Sequence, residues 1–170
     1  VVMPVRFLKE KQEINSKSFP FNFEIRKKMI ESVFGDSVSV SSNYTFHAPF
    51  KKYFPPLISP KSWSLKKQIL QGIESDYFTY TGDKAEGLML KLYRLNPKVG
   101  TRKSISAKDV KNQIYTAVEN NDMEWKKSVP ENVAQIISEN WDIIKKFASG
   151  EDMTTRIAGM KFPKEGYNSK

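Results

Sequence analysis

The chain has no cysteine and a single histidine, His47. Without thiols there is no disulfide, no thiolate zinc site and no cysteine nucleophile. One histidine excludes a multi-histidine metal site and any mechanism that draws two histidines from these residues. The absence of cysteine fits a reducing compartment, and a cytoplasmic protein is expected. No run of about 18 apolar residues exists, so no membrane-spanning helix and no membrane partner is expected. The opening "VVMPVRFLKEKQ" is apolar for only five residues, too few for a signal-peptide core. It lacks an initiator Met, which is expected of a fragment, a processed product or a chain whose beginning is not included. Acids are outnumbered: 28 Lys and Arg face 19 Asp and Glu, a net charge of +9. That balance favours anionic partners: a nucleotide, nucleic acid or an acidic protein surface. The lysines are spread along the chain, which suits a solvated basic surface equally well.

At 170 residues, 39% hydrophobic and 28% charged, the composition is that of one globular domain with a proper core. "VVMPV" reads as a short buried strand, and residues 6–20 read as a polar loop. Asn22 caps a helix over residues 23–33, with Ile25, Met29, Ile30 and Val33 as its stripe and Gly35 at its end. Val38 and Val40 alternate with serines, as in a strand. Residues 46–61 carry four prolines and four aromatics. That density predicts a loop, and a surface on which a protein partner docks. A helix over about 63–74 precedes an aromatic strand, "DYFTYTGD" (76–83), and a helix through "KAEGLMLKLYR". A polar connector (95–104) leads to a helix over about 106–119. The last helix runs to about residue 148, with Ser128 and Glu131 at capping-box spacing. Residues 149–170 read as an extended tail, a second candidate surface for a partner. Strands alternating with helices predict an α/β fold with a mostly parallel sheet.

In such a sheet, ligands bind beyond the carboxyl ends of the strands. Two segments meet that condition. Gly82 and Asp83 join a strand to a helix, where a glycine admits a ligand and the helix start offers free N–H groups; a strand-to-helix turn with glycine is also common without any ligand. The second segment is "SISAKDVKNQI" (104–114). Ser106 is placed to cap its helix, yet Lys108 and Lys111 lie in the first turns, where the dipole disfavours cations. A bound phosphate would supply the missing negative charge, and Asp109 supplies part of it. An ordinary capped helix and a phosphate-binding helix start both remain open. His47, alone in a loop, reads as structural or solvated.

"SISAKDVKNQI" resembles the C-terminal I-S-x-T-x-(I/V)-R motif of the HIGH-type nucleotidyltransferases, which include the nicotinamide-mononucleotide and pantetheine-phosphate adenylyltransferases and the cytidylyltransferases. Three other segments fall in the same order. "SFPFNFEIRKKMIESVF" resembles the family's P-F-x-x-x-x-R-x-x-M-I helix, through Arg26, Met29 and Ile30. "YFTYTGD" resembles its strand ending in a glycine turn. "NNDMEWKKSVPENVAQIISE", with Trp125, Val129, Pro130 and Val133, resembles the segment after the motif. The resemblance spans about residues 1–148, and its implications form one set of expectations. The domain over 1–148 is Rossmann-like, and its first strand and phosphate loop are missing from this chain. It binds a nucleoside triphosphate with magnesium and transfers a nucleotidyl group to a phosphate-bearing acceptor, releasing pyrophosphate. Ser106 matches the motif serine. Lys108 stands where threonine is usual and Lys111 where arginine is usual, which keeps charge but loses the bidentate fork. Gly82 and Asp83 complete the expected nucleotide site. The catalytic H-x-G-H signature is absent, so no catalytic residue is assigned and the chain alone is expected to be inactive.

Two other functions suit the same residues. One is a non-catalytic structural or assembly protein that reuses the fold; the Lys, Asn and Ile usage of an AT-rich genome suits a phage origin and a virion-associated location. The other is a basic nucleic-acid-binding module, for which no motif is present.

Overall fold

The computed structural model describes residues 1–101 and 106–167. The elements run β1 (Arg6–Lys9), β2 (Gln12–Glu13), α1 (Phe23–Phe34), β3 (Thr45–His47), α2 (Pro60–Leu70), β4 (Thr79–Thr81), α3 (Lys84–Leu92), β5 (Pro97–Val99), α4 (Ala107–Asn120), α5 (Glu131–Glu139), α6 (Trp141–Ala148), β6 (Thr154–Ile157) and β7 (Met160–Pro163). The fold is mixed α/β, with six helices among the described residues and small sheets, some of them parallel. The chain forms two compact units: Val1–Pro4 with Asn15–Ser41 and Lys103–Asp152, and Val5–Ile14 with Ser42–Arg102 and Met153–Lys170.

The first unit is helical. Asn22 caps α1 by accepting the Ile25 N–H at 3.0 Å, and Gly35 closes it at a φ of 51°, a region that favours glycine. The core gathers Phe21, Ile114, Ala117, Trp125, Ile137 and Ile144, with Trp141 against its edge. Trp125 and Trp141 stack with centroids 5.7 Å apart. Of the stripe read on α1, Ile25 and Met29 pack against this core, whereas Val33 is exposed. The expected final helix is two helices. Asn140, at φ −111° and ψ 27°, separates α5 from α6, and its side chain donates to the Ile136 carbonyl at 2.8 Å. The Ser128–Glu131 capping box does not form: Ser128 Oγ donates to Gln113 Oε1, and α5 begins at Pro130 without a side-chain cap.

The second unit holds the strands. β1 pairs with β3 in parallel and with β2 antiparallel; β4 and β5 are parallel; β6 and β7 form an antiparallel hairpin. The expected parallel pairing is therefore present in two short pairs, but the described strands form three separate sheets instead of one mostly parallel sheet. β4, α3 and β5 make a compact βαβ unit. Gly87 lets α3 lie on β5, because a Cβ there would meet Val99 Cγ2 at 2.5 Å.

Several sequence expectations are corrected. Residues 6–9, expected in a loop, are a strand because Phe7 needs cover; charged neighbours hid its alternation. "VVMPV" makes only one parallel bridge, Val2 to Val40. Residues 97–99, expected in a connector, pair with β4; connector residues 102–104 lie outside the described residues. In the 46–61 segment, Phe46, Phe50 and Tyr53 are core, not surface. The 149–170 segment contains the β6–β7 hairpin, whose Phe162 is fully buried; residues 168–170 lie outside the described residues. Phe162 packs at 5.1–5.9 Å from the rings of Phe7, Phe46, Phe50 and Phe54. Gly166 follows against Phe50, where no Cβ fits.

Phe162→Ala should lower stability by about 3–5 kcal/mol in chemical denaturation. Gly166→Ala should cost about 1–3 kcal/mol through overpacking. A loss under about 1 kcal/mol for Phe162→Ala would mean that the hairpin is not part of the core.

Candidate functional site

The five residues expected to hold a nucleotide fall in two places. Gly82 and Asp83 end β4 and start α3 in the strand-bearing unit; Ser106, Lys108 and Lys111 start α4 in the helical unit. The described part of "SISAKDVKNQI" begins at Ser106, so Ser104 and Ile105 lie outside the described residues.

At the β4–α3 turn, Gly82 borders open space, with no atom within 4 Å of where a Cβ would stand. Asp83 caps α3: one carboxylate oxygen accepts the N–H groups of Ala85 at 2.8 Å and Glu86 at 3.0 Å. Thr81 Oγ1 accepts the Asp83 N–H at 3.1 Å and donates to Glu86 Oε2 at 2.5 Å. The helix start is therefore filled by the chain's own carboxylate. A phosphate placed there would meet Asp83 and Glu86 instead of free donors, so the electrostatics oppose the anion that the glycine admits.

At α4 the cap is a hydroxyl. Ser106, extended at φ −108° and ψ 150°, accepts the Asp109 N–H at 3.2 Å and donates to Asp109 Oδ2 at 2.5 Å. The Ser106 carbonyl accepts the Val110 N–H at 3.1 Å. The Ala107 and Lys108 N–H groups have no partner among the described residues. Lys108 is exposed, and its ammonium likewise has no described partner. This start carries one carboxylate, Asp109, and an uncommitted cation.

Lys111 is differently placed. It is half-buried, donates from Nζ to the Ser18 carbonyl at 2.5 Å and lies over the Phe19 ring at 5.9 Å. It belongs to a latch that sequence reasoning missed. Lys17 Nζ donates to the Ala148 carbonyl at 2.7 Å and the Gly150 carbonyl at 3.1 Å, where it suits the negative end of α6. Ser18 donates to Asp152 through its N–H at 3.0 Å and its hydroxyl at 2.6 Å. Tyr115 Oη donates to the Lys17 carbonyl at 2.8 Å. Burial, then the Asp152 charge, push the Tyr115 phenol above its ordinary value. The partners lie 93 to 134 residues apart, a separation that no local pattern encodes.

His47 ends β3, exposed. Burial of its surroundings, then Lys61 and Arg6, lower its pKa. Among the described residues no group of three or more His, Asp or Glu side chains is gathered to hold a metal. Magnesium in nucleotide sites takes one or two carboxylates and otherwise phosphate and water; at α4 the carboxylate within reach of the cap is Asp109.

Lys111→Met should cost about 1–2 kcal/mol, the worth of a hydrogen bond from a charged donor, whereas Lys108→Gln should stay within about 0.5 kcal/mol. Urea unfolding of both separates a latch from a free surface cation; equal losses would contradict the distinction. Tyr115 also sets a pH response. Its folded-state pKa is raised, so above the ordinary tyrosine value of 10.0 the unfolded phenol ionises while the folded one keeps its proton. Its contribution is complete below that value and is lost as pH rises past it. Tyr115→Phe should flatten the fall in stability measured above that pH; an unchanged slope would remove Tyr115 as its source.

Comparison with family profiles, with curated proteins and with solved structures finds no match to this chain.

Proposed function

We propose that this chain is the nucleotide-holding part of a nucleotidyltransferase-like, Rossmann-like α/β protein, and that it binds a nucleoside triphosphate at the start of α4. The observation that carries this reading is the cap itself. A 14-residue helix begins at a serine, with two N–H groups and an exposed Lys108 that have no partner among the described residues. Anions bind at such positions through the N–H groups and the helix dipole. The placement of the resembling segments supports it. The Arg26 segment is α1, the glycine turn follows β4, Ser106 caps α4, Trp125 is buried after it, and α5 begins at Pro130. The β4–α3–β5 unit is a building block of Rossmann-like sheets.

On this reading the residues take the following roles. Ser106 Oγ turns from Asp109 to a phosphate oxygen, and Lys108 adds a point charge. Lys111 keeps the latch and contributes to affinity through it. Asp83 holds α3 in place and does not touch phosphate. Magnesium arrives on the triphosphate and neutralises part of its charge. In the reaction implied by the resemblance, a nucleotidyl group passes to a phosphate acceptor and pyrophosphate leaves. The residues of this chain hold and orient the triphosphate; they include no H-x-G-H pair to stabilise the transferring phosphate.

A second reading, a non-catalytic assembly protein, is favoured by one observation. Ser106 and Lys111, two of the three motif positions, already have intramolecular partners.

Calorimetric titration of magnesium–ATP, and of magnesium–CTP, into the whole chain distinguishes the two. On the first reading one of them binds, and Ser106→Ala with Lys108→Gln weakens binding about tenfold or more, the loss of one or two charge-assisted hydrogen bonds. Binding that survives both substitutions removes the site. No binding of either nucleotide leaves the assembly reading.

A further inference from the structure

The loop between β3 and α2 and the start of α2 have a property that the nucleotide reading does not use. From residue 37 to residue 73 the sequence has no Asp or Glu and five lysines. At its tip Ile58 is 77% exposed and Trp63 is 45% exposed. Ile58 stands in water beside these lysines, and the Trp63 ring is exposed although its indole N–H holds the Leu57 carbonyl; the core of their unit is closed by Phe46, Phe50 and Tyr53.

The tip is built, not slack. Leu57 sits at a φ of 66°, a costly conformation for leucine. Both of its backbone polar groups are held by side chains: its N–H donates to Ser62 Oγ at 3.0 Å, and its carbonyl accepts from the Trp63 indole at 2.7 Å. The Ser59 N–H donates to the Pro55 carbonyl at 3.2 Å. Ser59 Oγ donates to the Lys52 carbonyl and accepts the Lys61 N–H. These bonds place Lys52 and Lys61 around the tip, and Lys51 adjoins Lys52. All three lysines are exposed. The nearby Glu165 is drawn to Lys9 at 3.4 Å. The lowered pKa of His47, through burial and then Lys61 and Arg6, agrees with a positive field on this side of the unit.

We infer that this tip is a docking surface for an anionic phospholipid membrane, with Ile58 and Trp63 entering the headgroup region and Lys51, Lys52 and Lys61 contacting lipid phosphate and carboxylate. Two observations choose lipid over nucleic acid. The outermost side chain is aliphatic, whereas strand binders present several aromatic rings for stacking. Both backbone groups of Leu57 and the Ser59 N–H are held by bonds within the tip, which lowers the cost of moving them out of water. An apolar anchor and a basic cluster are the paired signals that give stable surface binding. The sequence expectation of no membrane partner rested on the missing span; a surface contact needs none.

Sedimentation of the full chain with phosphatidylcholine vesicles, with and without phosphatidylserine, tests the inference. Binding is expected only with phosphatidylserine, with a blue shift of tryptophan emission that is absent in Trp63→Phe. Each lysine near an anionic surface is worth about fivefold, so Lys51→Gln, Lys52→Gln and Lys61→Gln together should reduce partitioning about 100-fold. Ile58→Ser should reduce it too, with unchanged circular dichroism, since the side chain is exposed. No binding to either vesicle overturns the inference. So does vesicle binding that is unchanged in both variants, or binding of a single-stranded oligonucleotide without binding of vesicles.

Discussion

Strands of two to four residues cannot hold themselves together, and every strand described in this chain is that short. A pair of such strands has too few ladder hydrogen bonds to offset the entropy of ordering it. What supports β1, β3 and the β6–β7 hairpin is a cluster of phenylalanines drawn from distant parts of the chain. Phe7 comes from β1, Phe46 from β3, Phe50 from the turn after it and Phe162 from the closing hairpin, and all are at most 2% exposed. Phe162 meets the other three edge-on or tilted, the arrangement that aromatic quadrupoles favour. Register follows from this: Phe7 pairs opposite Phe46 because both must face the same rings. Three aromatics of residues 46–53, Phe46, Phe50 and Tyr53, point inward within eight residues.

Helix starts carry the second constraint. Each must satisfy its free N–H groups, and the two starts of interest do so differently. At α3 a carboxylate does it, from Asp83, and sets a negative charge against an incoming anion. At α4 a hydroxyl does it, from Ser106, with Asp109 beside it and Lys108 without a partner among the described residues. The same physical need thus closes one candidate phosphate position and leaves the other partly open. A glycine turn after a strand is a poor indicator on its own, because the residue that follows it decides whether the helix end accepts an anion.

Much of the helical architecture was legible. Apolar spacing marked α1, and Asn22, Gly35 and Ser106 mark helix ends that the structure bears out. Less of the sheet was legible, since Arg6 and Lys9 flank a single buried Phe7 and Lys98 interrupts β5. Three-residue strands offer too few alternations to register as a period. The site was legible in its residue types and only partly in its geometry. Lys111 looked like a phosphate ligand, but its partner is the Ser18 carbonyl, 93 residues away in sequence. The Ser128 hydroxyl had capping-box spacing, yet Gln113 takes it.

By itself the sequence determined the charge, the absence of thiol and multi-histidine chemistry, the mixed α/β class, and where most helices begin. These follow from composition and from contacts within one or two turns, which the chain makes wherever it lies. Tertiary structure alone decided that Lys111 is latched to the Ser18 carbonyl while Lys108 is exposed. It also decided that residues 149–170 supply a core ring, and that the aromatic loop faces inward while Ile58 and Trp63 face out. Those outcomes depend on which distant residue occupies a given hydrogen-bonding or packing position. Side chains of the same type, a few residues apart, therefore end with opposite roles.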